Sequence, residues 1–167
     1  LRGKKVSLCG RKWGLIKYIG EYIHSIDTKG RVIMPQKFRE QLGPVFYITR
    51  GIDGCLFVYD ETDWKAMYDK MKDLKFTSKI AREFSRFLYA PAREVEVDKQ
   101  GRVIIPQNLR EYADIKKDVA ITGVASRIEI WSKERYDQYN SEKEELFTTD
   151  TKPCAAIWPG WRTIFAT

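Results

Sequence analysis

Two short clusters of residues could do chemistry together. Asp27, Lys29, Gly30 and Arg31 stand in one Asp-x-x-Gly-Arg motif, and Asp98, Lys99, Gly101 and Arg102 in a second, 71 positions on. Asp with a nearby Gly is turn chemistry, because the carboxylate caps neighbouring backbone N–H groups and Gly takes positive φ without strain. Asp27, Gly30, Asp98 and Gly101 are therefore read as turn-forming. Arg31 and Arg102 are not demanded by a turn. A long cation just past a hairpin turn can reach phosphates or guanine edges, so the chemistry expected is recognition of duplex DNA. Lys29 and Lys99 sit at different places in their turns, so the two would not bind equally. Arg39 and Arg110 recur further on; their first reading is ion pairing with Glu40 and Glu111, and DNA contact is the second.

Other chemistry lacks parts. His24 is the single histidine and falls in an alternating stretch, where it reads as an ordinary strand side chain. There is no Ser/His/Asp set, no Cys/His pair and no phosphate-cradling Gly loop, so nucleophilic and phosphoryl-transfer catalysis are not expected. Cys9, Cys55 and Cys154 have no paired-ligand spacing. That argues against a zinc site or a disulfide framework and suits a reducing, cytoplasmic setting. No metal or cofactor is called for, and an enzyme is not expected. No apolar run approaches the ~18 residues that span a bilayer.

The elements that position the motifs come from a duplication. Residues 27–40, DTKGRVIMPQKFRE, match residues 98–111, DKQGRVIIPQNLRE, at nine of fourteen positions, where unrelated segments would share about one. Each copy reads alike: an alternating strand (21–26, 93–97), the turn, and a β-branched strand ended by Pro35 or Pro106. A short helix (36–42, 107–112) and two further strands (45–50 and 56–59; 119–123 and 128–131) complete it. Residues 61–74 and 77–90 carry apolar residues at helical spacing between the copies, and 132–147 is the matching last helix with Ser132 as its N-cap. Trp64, Tyr68, Phe84 and Phe87 are expected in the core. One such module is too small to bury a core alone, so the two copies should form an intramolecular pseudo-dimer.

The stretches GEYIHSIDTKGRVIMPQKFREQLG, ITRGIDGCLFVY and EVEVDKQGRVIIPQNLREYA, over residues 19–148, resemble the MraZ family. The resemblance implies an α+β fold of tandem AbrB-like swapped-hairpin modules with connecting and C-terminal helices. It also implies a bacterial, nucleoid-associated transcriptional regulator of its own division and cell-wall operon. Such a protein binds short promoter repeats in double-stranded DNA, multivalently, as a ring-like homo-oligomer. The family places the arginine of this motif on its DNA-binding face, which on this chain means Arg31 and Arg102. The organisation expected is a first module with its helix at 19–76, a linking helix at 77–91 and a second module with its helix at 92–148. Residues 1–18 and 149–167 fall outside the resemblance, as a basic extension and an atypical tail.

Charge agrees with that division. The net charge is +7, but six of the 30 bases and none of the 23 acids lie in residues 1–20. The body is nearly neutral, so its affinity for DNA must come from local placement of charge and not from bulk basicity. The rival reading is a structural or adaptor oligomer whose hairpin face binds protein.

Overall fold

The computed structural model describes residues 17–74 and 77–149, so the basic N-terminal segment, apart from its last residues, and the C-terminal tail lie outside the described residues. The chain runs β1 (Tyr18–Ser25), β2 (Arg31–Ile33), α1 (Gln36–Leu42), β3 (Val45–Arg50), β4 (Leu56–Asp60), α2 (Glu61–Met71) and α3 (Lys79–Tyr89). It continues with β5 (Arg93–Glu96), β6 (Arg102–Ile104), α4 (Gln107–Tyr112), β7 (Asp118–Ala125), β8 (Ile128–Ser132) and α5 (Lys133–Thr149). The class is α+β, with a six-stranded antiparallel sheet in the order β1-β7-β8-β4-β3-β5 and a separate two-stranded ribbon of β2 and β6.

The two copies interleave. β1 of the first copy pairs along its whole length with β7 of the second, from Tyr18 opposite Ala125 to Ser25 opposite Asp118. Reciprocally, β5 of the second copy pairs with β3 of the first. At the centre β4 meets β8, with Phe57 opposite Glu129. Each copy's first strand thus completes the other copy's half of the sheet. That explains how modules too small for separate cores are stable, since neither has to close its own sheet.

One core serves both. Met34, Phe38, Phe46, Ile48, Leu56 and Val58 from the first copy pack with Ile105, Leu109, Val119, Ile121, Ile128 and Ile130 from the second. The alternation of the strands sends Phe57, Ala120 and Trp131 to the opposite face, into a smaller cluster with Cys55. Burial pushes the Cys55 thiol up to about 12, with the nearby carboxylates of Glu129 and Asp53 adding to the shift, so this cysteine stays protonated at neutral pH.

Local chemistry sets the boundaries. Pro35 and Pro106 immediately precede α1 and α4, at φ −51° and −55°, where a fixed φ suits a helix start. β4 runs one residue past the stretch expected, to Asp60, whose carboxylate then accepts the Asp63 N–H at 2.8 Å and caps α2. Ser132 Oγ accepts the Arg135 N–H at 3.3 Å at the head of α5, as read from the sequence. The helix expected over 77–90 is capped by Ser78 and starts at Lys79.

The interhelical aromatics require a correction. Trp64, Tyr68, Phe84 and Phe87 are not in the core; Tyr68 and Phe84 are exposed, and α2 has no fully buried residue. Trp64 instead stacks on Tyr47 at 5.1 Å and meets Tyr89 edge-on at 5.6 Å. The physical reason is that the main core is already filled by the strands and by α1 and α4, so α2 and α3 cover only the second face of the sheet.

Candidate nucleic-acid interface

The site is built from the two turns and the ribbon between them. In the first turn Asp27 Oδ1 accepts the N–H groups of Lys29 and Arg31, both at 2.9 Å, and Oδ2 accepts Arg31 Nε at 2.7 Å. In the second, Asp98 Oδ1 accepts from Gln100 at 2.8 Å and Arg102 at 2.9 Å, and Oδ2 accepts Arg102 Nε at 2.8 Å. Gly30 and Gly101 stand at φ +77° and +76°, the left-handed region that Gly enters freely. The two turns are near copies in geometry as well as in sequence.

The ribbon ties them together. Val32 lies opposite Val103, and both are 1% exposed. The alternation therefore turns Arg31, Ile33, Arg102 and Ile104 outward, with Arg31 opposite Ile104 and Ile33 opposite Arg102. Each turn is also held by the other copy: Met34 N–H donates to the Gly101 carbonyl at 3.0 Å, and Ile105 N–H to that of Gly30 at 2.8 Å.

Arg39 and Arg110 belong to this lock. Glu40 and Glu111, their expected partners, instead accept from Gln36 and Gln107 at 2.9 and 2.8 Å. The two guanidinium groups pack across the copies. A Cβ added to Gly101 would come within 2.5 Å of Arg39 Nη1, and one added to Gly30 within 2.9 Å of Arg110 Cζ. Arg110 Nε donates to the Ile105 carbonyl at 3.1 Å, while Arg39 Nε is buried without a partner among the described residues. These arginines brace the turns that carry Arg31 and Arg102.

Only Nε of Arg31 and of Arg102 is engaged by its aspartate, which leaves the outer edge of each planar guanidinium for a ligand. Both side chains are about a quarter exposed, whereas Lys29 and Lys99 are fully on the surface. Arg31 and Arg102 share a shallow depression of about 410 Å³ with Asp98, Glu94 and Glu96. The carboxylates make the face only mildly cationic. Sequence reasoning gave no role to Ile33 and Ile104, which are 48% and 57% exposed. Their signal was alternation about Val32 and Val103.

Electrostatics fixes the state of the turns. The Arg31 N–H, then the Arg31 side chain and the Lys29 N–H, hold the Asp27 carboxyl below its ordinary value of 3.8. Arg102 and Gln100 do the same for Asp98. A lowered folded-state pKa stabilises the turn above the unfolded-state value, and that contribution is lost as pH falls through the folded one. Both turns should therefore stay formed at pH 5 and loosen only below about 3.8. Carboxyl-carbon NMR titration checks this; midpoints at or above 3.8 for Asp27 and Asp98 would contradict it.

Among the described residues, no group of three His, Cys, Asp or Glu side chains is placed to hold a metal ion, and no helix is long and apolar enough to cross a membrane.

Comparison with known proteins assigns this arrangement to a family. The family model described as "MraZ protein, putative antitoxin-like" matches twice, over residues 18–87 and 88–155. The chain is 51% identical over 130 residues to the transcriptional regulator MraZ of Desulforamulus reducens, covering 78% of this chain and 92% of the relative. It is 53% identical over 126 residues to that of Acetivibrio thermocellus, covering 75% and 88%. The figure is 55% over 125 residues for that of Finegoldia magna, covering 75% and 87%. Matched in both copies and along nearly the whole length of these relatives, the chain belongs to the MraZ family.

Proposed function

We propose that the protein is a sequence-specific DNA-binding transcriptional regulator of its own division and cell-wall operon, acting from the cytoplasm on the nucleoid. The observation that carries this reading is the outward ribbon, on which two Asp-braced arginines from the two copies stand diagonally across a pseudo-twofold axis. A paired β surface of this kind suits a DNA groove. The printed name of the relatives, transcriptional regulator MraZ, points the same way. In this reading the modules are AbrB-like swapped hairpins: Arg31 and Arg102 contact bases or the groove, Lys29 and Lys99 position the backbone, and Arg39 and Arg110 act on the turns. No cofactor takes part.

The mildly charged face has a mechanistic consequence. Four cations, Lys29, Arg31, Lys99 and Arg102, are offset by Asp27 and Asp98 within the turns themselves, so one subunit on one site binds weakly. A ring-like homo-oligomer that engages adjacent repeats raises the effective concentration of each further contact. Affinity for a fragment carrying several upstream repeats should exceed that for a single repeat by about 10²–10⁴-fold. Fluorescence anisotropy on fragments of equal length measures the ratio. A ratio near one contradicts multivalent binding.

The exposed Ile33 and Ile104 favour a second reading, an adaptor whose ribbon docks on protein. Salt separates the two, because phosphate contacts weaken with a slope of roughly −0.9 per contact and apolar docking barely responds.

A further inference from the structure

The two halves of the sheet are not covered alike. Aligned on their common strands, Thr49 corresponds to Thr122, Phe57 to Glu129, Tyr59 to Trp131 and Trp64 to Tyr136. In the first copy α3 closes this face. Thr49 Oγ1 donates to the Leu88 carbonyl, Tyr89 meets Trp64, and Arg50 lies over the Phe87 ring at 6.0 Å. In the second copy no described element takes the place of α3. α5 lays Tyr136 and Tyr139 beside Trp131, at 6.0 and 5.1 Å, and a cleft of about 540 Å³ stays open between α5 and the β1–β7 strands.

Charge distinguishes this cleft further. Its ionisable lining includes the carboxylates of Glu21, Asp53 and Glu129 against one base, Arg127. Arg127 is spent on Glu129, at 2.6 Å, and on the Phe57 ring, at 4.3 Å. Tyr136 OH donates to Glu21 at 2.7 Å, and Trp131 Nε1 to Glu129 at 3.1 Å. The cleft is therefore acidic with aromatic walls. It suits a ligand that is apolar at its centre and cationic at its edges.

The outer face of α3 has that character. Ile80 is 77% and Phe84 38% exposed; four residues apart, they share one helix face. Lys79 and Arg86 flank them and are exposed as well. We propose that α3 of a second copy of this chain seats in the cleft. Ile80 and Phe84 pack toward Trp131 and Tyr139, while Lys79 and Arg86 approach Glu21 and Asp53. The surfaces given and received differ, so each bound copy still offers a free helix and a free cleft. Addition continues until a ring closes. The contact rests on the self-assembly in the functional reading above and supplies its interface.

Mixing two full-length variants tests it by light scattering after size exclusion. Ile80→Asp with Phe84→Asp blocks the helix face, and Glu21→Lys with Asp53→Lys blocks the cleft. All four positions are exposed, and circular dichroism checks that both variants fold. Each variant alone should run as a monomer, and an equimolar mixture should give a dimer that grows no further. Wild-type mass in either variant, or a mixture that stays monomeric, overturns the proposal. Wild-type mass in the cleft variant alone would instead favour the chain's own residues 150–167 as occupant. Binding of each variant to one DNA repeat is read in parallel and should be unchanged. If the wild type binds no DNA, the regulator reading falls while the mass measurements still decide the contact.

Discussion

Replacing Arg31 and Arg102 together by alanine is expected to weaken binding to a single operator repeat by about a thousandfold while leaving the fold intact. Each arginine that makes a bidentate contact contributes ~1–3 kcal/mol of discrimination. Losing two removes about 4 kcal/mol, or three decades of affinity. The fold survives because Asp27 and Asp98 keep their backbone partners. The N–H groups of Lys29 and residue 31, and those of Gln100 and residue 102, still reach the carboxylates without the side chains. Arg31→Lys is informative beside it. Lysine keeps the charge but lacks the planar fork, so it retains attraction to phosphate and loses sequence discrimination. Isothermal titration against one repeat and its scrambled counterpart measures both effects. An unchanged affinity in the double variant, with the same thermal midpoint, would remove the ribbon from DNA recognition.

Phe38→Ala is expected to cost ~3–5 kcal/mol, a large part of the stability of an ordinary domain. Phe38 is fully buried, with the rings of Tyr18 and Tyr22 edge-on at 6.1 and 5.2 Å. Its counterpart in the second copy is Leu109, also fully buried. Phe38→Leu therefore installs the residue that the duplicated position already uses, and should cost only about 1–2 kcal/mol. Because β1 is shared with the second copy's β7, the loss is felt in both halves, and unfolding stays a single transition with a lowered midpoint. Differential scanning calorimetry shows this directly. Two separate transitions would mean that the copies hold independent cores.

Much of this architecture is legible in the residues. The repeat places the turns, Pro35 and Pro106 place the starts of α1 and α4, and Ser132 marks the head of α5. Each signal is local, set by φ, capping or alternation within a few positions. What is not local is less visible. Strands β1 and β7 alternate like any half-buried pair, and nothing in that pattern states which copy supplies the partner. Arg39 and Arg110 have glutamates next in sequence, yet in a helix adjacent residues point apart, and the side chains cross to the opposite turn instead. The aromatic residues of α2 and α3 have helical periodicity whether they face a main core or a satellite face. Periodicity reports that a face is covered and is silent about what covers it. Ile33 and Ile104 were legible and overlooked, since alternation about a buried valine is enough to turn them outward.

The most direct measurement is a titration of the protein onto its own upstream DNA beside a scrambled fragment, at two salt concentrations, repeated with Arg31→Ala. Preference for the upstream fragment, weakening with salt and abolished by the substitution at unchanged oligomer mass, is the result predicted for a ribbon that reads DNA. Equal binding of both fragments, or binding indifferent to the loss of Arg31, would contradict it.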